Sequence, residues 1–494
     1  MNLGRTDVLI IGAGAVGTAL ARDLSRFDIQ VTVVDSLNDV GGDASKSNSA
    51  VVHTGFDAPP GTLESAMVVS ANPMYDDLCR DLDIPFRRTG AILVAVTEEE
   101  EAELPHILEK AQANGVDDVA PLTAEEVRDR EPSVTPRVRA GLYVPRESLV
   151  DPFLLVVAQA ENAVENGAVF LTSCEVVGLR HEDDGLRAET TRGQLRAECV
   201  VNAAGLFADK ISGFLGIDDF KVHPRRGQFH VLDRAAPLGI EHIILPVPTP
   251  ITKGKLLTPT MHGNWLIGPT AEELEDKAAH NTTNEGLTEV VEDVRKRVPA
   301  LTPAFAISQY AGLRPVREPG GYHLRTFPDL PGYVELSGIR STGVTASLAV
   351  APYARRLLAE MPVLNRAKKG GAFRPKENAV TTRKGIPCFR DSDTKTKEAL
   401  IEQDPLYANV VCRCETVTEA EVVQAIRRTP GARDWDGIKR RVRAGLGRCQ
   451  GGFCGMRIPG ILARELGMSV ERVSKKGTGS ELLDGRTKSL RETR

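Results

Sequence analysis

The first 35 residues place apolar runs on either side of a glycine-rich turn. The run at 7–11 (DVLII) is followed by GAGAVG at 12–17, by a helical stretch to about Arg26, and by a second apolar run at 30–35 (QVTVVD). A strand, a glycine turn, a helix and a strand within about 30 residues form a βαβ unit. The pattern predicts a parallel α/β sheet at the start of the chain.

The middle of the chain mixes helical and strand patterns. Apolar spacing predicts helices over 71–83 and 97–115, the second with an acidic start, and a strand over 90–96. A further helix is predicted over about 150–166, and the segments that follow alternate like hairpin strands.

Glycine and proline then punctuate several strand candidates over 222–270. A Thr-x-x-Glu capping box at Thr282 and Glu285 predicts a helix that stops at Pro299. Residues 333–361 return to a strand, a glycine turn and a helix.

The pattern changes after residue 361. Residues 362–404 are polar and predict a long linker with little core, whereas 405–470 regain helical spacing. The end of the chain is polar again and is expected to be frayed.

Composition narrows the class of protein. The 494 residues suggest about three domains, and a net charge of −5 argues against a nucleic-acid-binding protein. No run reaches the roughly 18 apolar residues of a membrane span. The apolar start lacks the basic region and cleavage site of a signal peptide. We therefore expect a cytoplasmic protein with reduced thiols.

The glycine turn matches a dinucleotide-binding fingerprint. Gly12, Gly14 and Gly17 fit G-x-G-x-x-G around Ala15, and Asp35 closes the second strand 18 residues after Gly17. The glycines allow a tight turn and close approach to a pyrophosphate, and the acid accepts a hydrogen bond from the ribose. The fingerprint does not distinguish FAD from NAD.

Three further segments favour FAD. Small polar residues at 41–55 suit a ribityl chain, a strand at 200–211 ends in small residues, and the turn at 338–345 directs a second helix N-terminus at the site. A second G-x-G-x-x-G is absent from the sequence. Besides the fingerprint residues, the expected FAD-binding residues are Ser45, Ser47, Asn48, Ala204, Gly205, Gly343, Val344 and Thr345.

Two close cysteine pairs predict a metal centre near the C-terminus. Cys412 and Cys414 are spaced C-x-C, and Cys449 and Cys454 are spaced C-x4-C among glycines whose backbone N–H groups are free to face sulfur. Four thiolates suit either an iron–sulfur cluster or zinc. A two-electron flavin needs a one-electron outlet when NAD is absent, which favours the cluster.

Together these motifs resemble the FAD-dependent glycerol-3-phosphate dehydrogenase family of the D-amino-acid-oxidase-like superfamily, especially its anaerobic A-subunit type. The similar stretches include SKSNSAVVHTGFDAPPGTL (45–63), RRGQFHVLD (225–233), AGLRPV (311–316) and GIRSTGVTAS (338–347). The segment 410–455 resembles the [2Fe-2S] domain of bacterioferritin-associated ferredoxin.

The resemblance implies an α/β fold with a Rossmann-like FAD-binding domain, an interleaved antiparallel-sheet substrate domain and a small helical iron–sulfur domain. The expected boundaries are 1–85, 145–220 and 331–362 for the FAD-binding domain, 86–144 and 221–330 for the substrate domain, 363–404 for a linker, 405–470 for the [2Fe-2S] domain and 471–494 for a polar tail.

The resemblance also implies oxidation of a small anionic secondary alcohol by hydride transfer to flavin N5. His53 is the candidate base and Arg314 the candidate anchor for the anion. The turn from Thr342 to Thr345 would stabilise reduced flavin through backbone N–H groups. Further cations that could extend an anion clamp are Lys253, Lys255, Arg225, Arg226 and Arg317.

Substrate identity stays open at this point. Phe56 and Asp57 stand where membrane-bound members of the family have Arg and Tyr, so that part of a phosphate pocket is not carried over. Alternatives to glycerol 3-phosphate are a 2-hydroxy acid such as L-2-hydroxyglutarate, a polyol-derived acid, an amine or an opine. A non-catalytic electron-transfer subunit with zinc in its tail is a further alternative.

The expected electron acceptor is another protein or a quinone route, reached through other subunits of an oligomer. Such subunits would hold the chain at the periphery of the inner membrane, without a transmembrane segment of its own.

Overall fold

A computed structural model describes residues 1–183, 185–248, 254–362, 364 and 373–485. Lys253, residues 363 and 365–372 of the predicted linker, and residues 486–494 of the predicted tail lie outside the described residues. None of the described helices is long and apolar enough to cross a membrane.

The first sheet has a parallel centre, as the βαβ pattern predicts. Strand Asn2–Ile11 pairs in parallel with Val31–Val34 on one side and with Gly193–Asn202 on the other. The other described strands of this sheet are Val169–Leu171, Val176–Glu182, Gly185–Thr190, His323–Thr326 and Tyr333–Ser337. The order of the six strands on the main path begins at Val176–Glu182 and ends at Val169–Leu171.

A second sheet is almost wholly antiparallel and supplies the other wall of the site. Its longest pair joins Lys221–Leu232 to Ala306–Glu318, with Arg225 opposite Arg314. Its other described strands are Ala91–Ala95, Ala120–Thr123, Ala140–Val144, Ile243–Pro246, Leu256–Pro259, Trp265–Gly268 and Glu272–Glu273. Ala91–Ala95 and Ile243–Pro246 are its one parallel pair among the described strands.

A short third sheet connects two distant parts of the chain. Val51–Val52 and Phe86–Arg88 both pair with Ser148–Val150, and Val52 lies opposite Ser148. This antiparallel register brings the residues after Val52 beside those before Ser148.

Helices cover the first sheet and build the C-terminal domain. Ala15–Ser25 packs between Pro152–Glu165 and Gly343–Ala359 on the first sheet. The other described helices are Leu63–Ala71, Met74–Leu82, Glu98–Ala113, Ala124–Arg130, Ala208–Gly213, Asn284–Arg295, Thr394–Gln403, Glu419–Arg427, Trp435–Val442 and Ile458–Leu466. The last three surround a core that contains Val411, Val422, Ile426, Ile438, Ile458 and Leu462.

One predicted helix start and end differ from the structure. The cap of Asn284–Arg295 is Thr283, whose Oγ1 accepts the Gly286 N–H, and not Thr282. Gln228 fixes this choice because its Oε1 accepts the Thr283 N–H. The helix ends at Arg295, before the predicted stop at Pro299.

Three expectations about domain organisation need correction. His323–Thr326, expected in the substrate domain, pairs with Tyr333–Ser337 in the first sheet. The described part of the linker is packed: Phe373 meets Phe27 edge-on, and the Val380 N–H donates to Asn166. Many polar side chains of this segment are exposed, but its backbone and Phe373 are held by neighbouring elements.

The start of the polar tail is packed as well. Val473 is buried in the C-terminal core, and Ser474 and Glu481 form a β-bridge. The short-range pattern missed this because a bridge between turns has too few residues to show periodicity.

Candidate active site and iron–sulfur centre

A cavity of about 1160 Å³ runs between the first and second sheets. The glycine turn and Asp35 line one end, and His53 and Arg314 line it as well. Of the predicted FAD-binding residues, those in its lining are Gly12, Gly14, Ala15, Asp35, Ser45, Ser47, Asn48, Ala204, Gly205, Gly343 and Val344. Gly17 and Thr345 lie behind the lining.

The glycine turn is shaped as a cradle. A Cβ atom on Gly12, whose φ is +110°, would lie 2.4 Å from the Ala203 carbonyl oxygen, and one on Gly17 would lie 1.8 Å from the Gly12 oxygen. The Asp35 carboxylate accepts the Ala13 N–H at 2.7 Å, and burial raises the pKa of Asp35. These contacts leave an open concave turn at a helix N-terminus, which is the form that a dinucleotide pyrophosphate requires.

The serine-rich loop is fixed by the first helix on one side and by the second sheet on the other. Ser45 Oγ accepts the Ala15 N–H at 3.0 Å, and the Asn48 carbonyl accepts the Tyr310 hydroxyl at 2.7 Å. A Cβ on Gly312 would lie 2.0 Å from the Ser47 carbonyl oxygen, so the second sheet can approach only because residue 312 is glycine. The loop therefore forms a rigid wall of the cavity.

His53 is held by a carboxylate that the sequence did not reveal. Its Nδ1 lies 3.0 Å from Glu147 Oε2, and its backbone N–H donates to Thr345 Oγ1. Glu147 is fully buried, and its Oε1 accepts the backbone N–H and the hydroxyl of Thr54. No arginine or lysine pairs with Glu147 in the described part of the chain, so His53 is the one basic side chain in contact with it there.

Arg314 is a cation with unused donors in the cavity lining. One terminal nitrogen donates to the Thr270 carbonyl at 2.6 Å, while the buried Nε has no hydrogen-bond partner among the described residues. Burial lowers the pKa of Arg314 to about 10, and repulsion from Arg225 contributes. The guanidinium is charged at neutral pH, and an anion would both compensate it and satisfy its donors.

The other predicted clamp cations divide into two groups. Arg225 lines the cavity and is ion-paired with Glu273. Arg226, Arg317 and Lys255 lie outside the lining, where they pair with Glu272, Glu335 and Glu289 respectively. Lys253 is outside the described residues.

Sequence reasoning missed Arg340 as well as Glu147. Arg340 lines the cavity, 3.7 Å from Glu64. Its position in GIRSTGVT, three residues before Gly343, was the available signal.

The four C-terminal cysteines come together as a chain of contacts. The Cys412 and Cys414 sulfurs are 3.9 Å apart, those of Cys414 and Cys449 are 3.7 Å apart, and Cys454 interacts with Cys412. Within the described ranges, no three His, Cys, Asp or Glu side chains are arranged to hold a single metal ion.

Backbone groups around these cysteines match the expectation from the glycines. The Phe453 N–H lowers the pKa of Cys449, with a smaller contribution from Gly451. A Cβ on Gly447 would lie 2.6 Å from Cys414 Sγ. Four thiols with backbone donors and no room for further side chains fit a [2Fe-2S] cluster, in which each iron takes two thiolates.

Buried ion pairs fix the C-terminal domain to the rest of the protein. Asp39, beside the cavity, pairs with Arg440 and Arg441, and all three are buried. Burial alone would raise the pKa of Asp39, but the two arginines hold it below its usual value. Glu415, next to Cys414, pairs with Arg234, which lies in the turn after strand Lys221–Leu232 of the second sheet. The cysteine site is thus held against both walls of the cavity.

The fold and the two sites define a flavoprotein oxidoreductase with an iron–sulfur domain. The chain belongs to the FAD dependent oxidoreductase family, whose model matches residues 7–357. The BFD-like [2Fe-2S] binding domain matches residues 410–464. The predicted fold class and the two predicted cofactors, FAD and a [2Fe-2S] cluster, are confirmed.

Similar proteins share a substrate in their names. A glycerol 3-phosphate dehydrogenase of Caloramator mitchellensis is 41% identical over 98% of this chain and 99% of its own length. The A-type component of the anaerobic glycerol-3-phosphate dehydrogenase of Escherichia coli K12 is 27% identical over 93% of this chain and 88% of its own.

Among solved structures, dithionite-reduced L-alpha-glycerophosphate oxidase from Mycoplasma pneumoniae with FAD bound is similar at a TM-score of 0.72. It is 29% identical, and the match covers 78% of this chain and 99% of that one.

Proposed function

We propose that this protein oxidises sn-glycerol 3-phosphate to dihydroxyacetone phosphate. One observation carries the proposal: Arg314, a half-buried guanidinium with an unused donor, lines the same cavity as His53, whose Nδ1 lies beside the Glu147 carboxylate. An anionic alcohol is the substrate class that needs both a fixed cation and a base. The names of the relatives support glycerol 3-phosphate within that class.

In this mechanism, His53 removes the proton of the substrate hydroxyl. Glu147 accepts the Nδ1–H of His53, which leaves the Nε2 lone pair free to take that proton. Glu147 then stabilises the imidazolium, because it is a buried carboxylate without another charged partner among the described residues. Bound FAD supplies the acceptor for the hydride that leaves the carbinol carbon.

Arg314 binds the phosphate and so fixes the carbinol carbon relative to His53. A planar guanidinium with free N–H groups forms charge-assisted bonds to phosphate oxygens. Arg225 and Arg340 add positive charge to the same lining, although each has a carboxylate neighbour. Cys412, Cys414, Cys449 and Cys454 would hold the [2Fe-2S] cluster, which would supply one-electron transfer out of the protein.

The electron acceptor lies outside this chain in the proposal. The Escherichia coli relative is named as one subunit of an anaerobic glycerol-3-phosphate dehydrogenase. That name supports assembly of this chain with other subunits. We propose that such partners carry electrons onward to a protein or quinone acceptor and hold the chain at the membrane periphery.

The test is an anaerobic visible spectrum of the FAD- and iron-loaded protein before and after addition of sn-glycerol 3-phosphate. We expect bleaching of the flavin bands followed by partial loss of cluster absorbance. Glycerol, which lacks the anion, and L-2-hydroxyglutarate, which carries carboxylates, are the comparison substrates. Bleaching by L-2-hydroxyglutarate alone would overturn the substrate, and equal bleaching by glycerol would overturn the role of Arg314.

A further inference from the structure

The exposed side of the cysteine site has an unusual combination of side chains. Cys449 is exposed, and Met456, two residues after Cys454, is 85% exposed. Between them, Phe453 lies under two arginines, with the Arg413 guanidinium 4.2 Å and the Arg457 guanidinium 4.7 Å from its ring centre. We call this surface, formed by Arg413, Cys449, Phe453, Met456 and Arg457, the cysteine-side patch.

The two arginines of the patch carry uncompensated charge. Neither Arg413 nor Arg457 has a carboxylate within ion-pair distance in the described ranges; besides Phe453, Arg457 contacts only the Val410 carbonyl through a hydrogen bond. Arg448, beside Cys449, is in contrast fully engaged by both oxygens of Asp233.

The surrounding domain is cationic although the whole chain is anionic. Residues 405–470 contain eleven lysines and arginines against six acids, whereas the net charge of the protein is −5. The acids of this domain are all engaged within it or at its borders. Glu415, for example, pairs with Arg234, Arg390 and Arg443. Carboxylates of the other domains compensate part of the excess, since Asp39 pairs with Arg440 and Arg441 and Asp233 pairs with Arg448. The two patch arginines have no such carboxylate among the described residues.

We propose that the cysteine-side patch is the docking site of an acidic one-electron acceptor protein. The arginines attract and orient the acidic face, and Met456 and Phe453 supply the small apolar centre that a transient interface requires. Cys449 is the exposed member of the cysteine site, so a partner on this patch would lie directly against one of the four expected cluster ligands. Each oxidised substrate releases two electrons and two protons, and two acceptor molecules take one electron each.

A lipid surface is the weaker candidate for the same side chains. Recognition of anionic lipid rests on clusters of roughly four to eight lysines and arginines, and this patch has two unpaired ones. A second copy of this chain is the other candidate, and the experiment separates all three.

The experiment compares two haem proteins of opposite charge as electron acceptors: ferricytochrome b5, which is acidic, and ferricytochrome c, which is basic. The holoenzyme is first reduced anaerobically with light and deazaflavin, so the outcome does not depend on the proposed substrate. Relative to the unaltered protein, we expect the double variant R413E/R457E to reduce cytochrome b5 at least about tenfold more slowly. It should reduce cytochrome c at the same rate or faster. The rate with cytochrome b5 and the unaltered protein should fall as salt is added.

The matched control is R137E/R192E, which makes the same charge change at exposed arginines of the other domains and should leave both rates unchanged. Met456→Glu is the second variant; at 85% exposure it should fold normally and slow cytochrome b5 alone. Equal rates for R413E/R457E and the control with both acceptors would overturn the proposal. The proposal would also be overturned if R413E/R457E reduced cytochrome b5 at the normal rate but no longer bound phosphatidylserine vesicles. The same holds if that variant kept the normal rate but changed its oligomeric state in light scattering.

Discussion

His53 and Glu147 are 94 residues apart in the chain, yet the His53 Nδ1 lies 3.0 Å from the Glu147 carboxylate. The pairing of Val52 with Ser148 in the short third sheet brings them together, because the residue after one strand meets the residue before the other. The contact fixes the orientation of the His53 ring, and a carboxylate beside Nδ1 favours the tautomer with its proton on Nδ1.

Glu147→Gln should lower kcat by about 10²- to 10⁴-fold, the usual contribution of a positioned base, with little change in KM. Oε1 of Glu147 accepts two Thr54 hydrogens, so the glutamine oxygen must take that place and its NH₂ group must face His53. An NH₂ group donates to Nδ1 and thereby places the proton on Nε2, where it blocks proton removal. Steady-state kinetics measure kcat and KM, and stopped-flow flavin bleaching measures the flavin-reduction step itself.

The control is Glu131→Gln, because the chain repeats the arrangement outside the cavity. Glu131 is fully buried and lies 2.7 Å from His242 Nδ1. A comparable loss of kcat in both variants, or a loss of FAD absorbance in Glu147→Gln, would reduce Glu147 to a structural role.

Local patterns showed the glycine turn and the four cysteines, but only one member of the His53–Glu147 pair. The glycine turn, Asp35 and the four cysteines are specified by spacing within a few residues, so the sequence shows them directly. Glu147 depends on a strand register between distant segments, and the residues around it have no pattern of their own. A candidate histidine is visible in a sequence, whereas the carboxylate that orients it becomes visible only in the fold.

Long-range contacts also explain the smaller errors. The sequence favours Thr282 as the cap because Glu285 completes a capping box with it, whereas in the fold Gln228 of another strand accepts the Thr283 N–H and Thr283 is the cap. The polar segment after residue 372 looks like a free linker until Asn162 and Asn166 are found to bond to it.

Arg314→Met should raise KM for glycerol 3-phosphate and lower kcat/KM by about 10- to 100-fold, the value of one or two charge-assisted hydrogen bonds. Arg314→Lys should recover part of the loss, because it restores the charge without the planar fork. Arg180→Met, at an exposed arginine of strand Val176–Glu182, is the control. Steady-state kinetics over a range of substrate concentrations measure KM and kcat/KM. An unchanged KM in Arg314→Met would contradict the role of Arg314 in binding the substrate anion.

Gly447→Ala should reduce the iron and sulfide content per FAD without reducing FAD itself. The added Cβ would lie 2.6 Å from Cys414 Sγ and 2.7 Å from Glu415 Oε1, and such overpacking costs about 1–3 kcal/mol. Gly460 lies in helix Ile458–Leu466 with open space around it. Gly460→Ala should therefore keep the full iron content and raise the free energy of unfolding by about 0.5–1 kcal/mol. Equal iron content in the two variants would show that Cys414 can shift to make room for the added Cβ, and would contradict this prediction.

Asp39→Ala should destabilise the attachment of the C-terminal domain by about 3–5 kcal/mol, because it leaves two buried arginines without their partner. The measurement is the thermal midpoint of the holoenzyme, together with its resistance to limited proteolysis. Asp77→Ala, which breaks the exposed pair with Arg80, should have little effect.

The effect of Asp39→Ala should also depend on pH. The folded-state pKa of Asp39 is lowered, so the ion pairs contribute fully above the unfolded value of about 3.9 and are lost as the pH falls below it. The difference in thermal midpoint between the unaltered protein and the variant should therefore stay constant from pH 7 to 5 and narrow between pH 4 and 3. A difference that narrows as the pH rises from 5 to 7 would have the wrong sign for a carboxylate and would place the stabilising charge elsewhere.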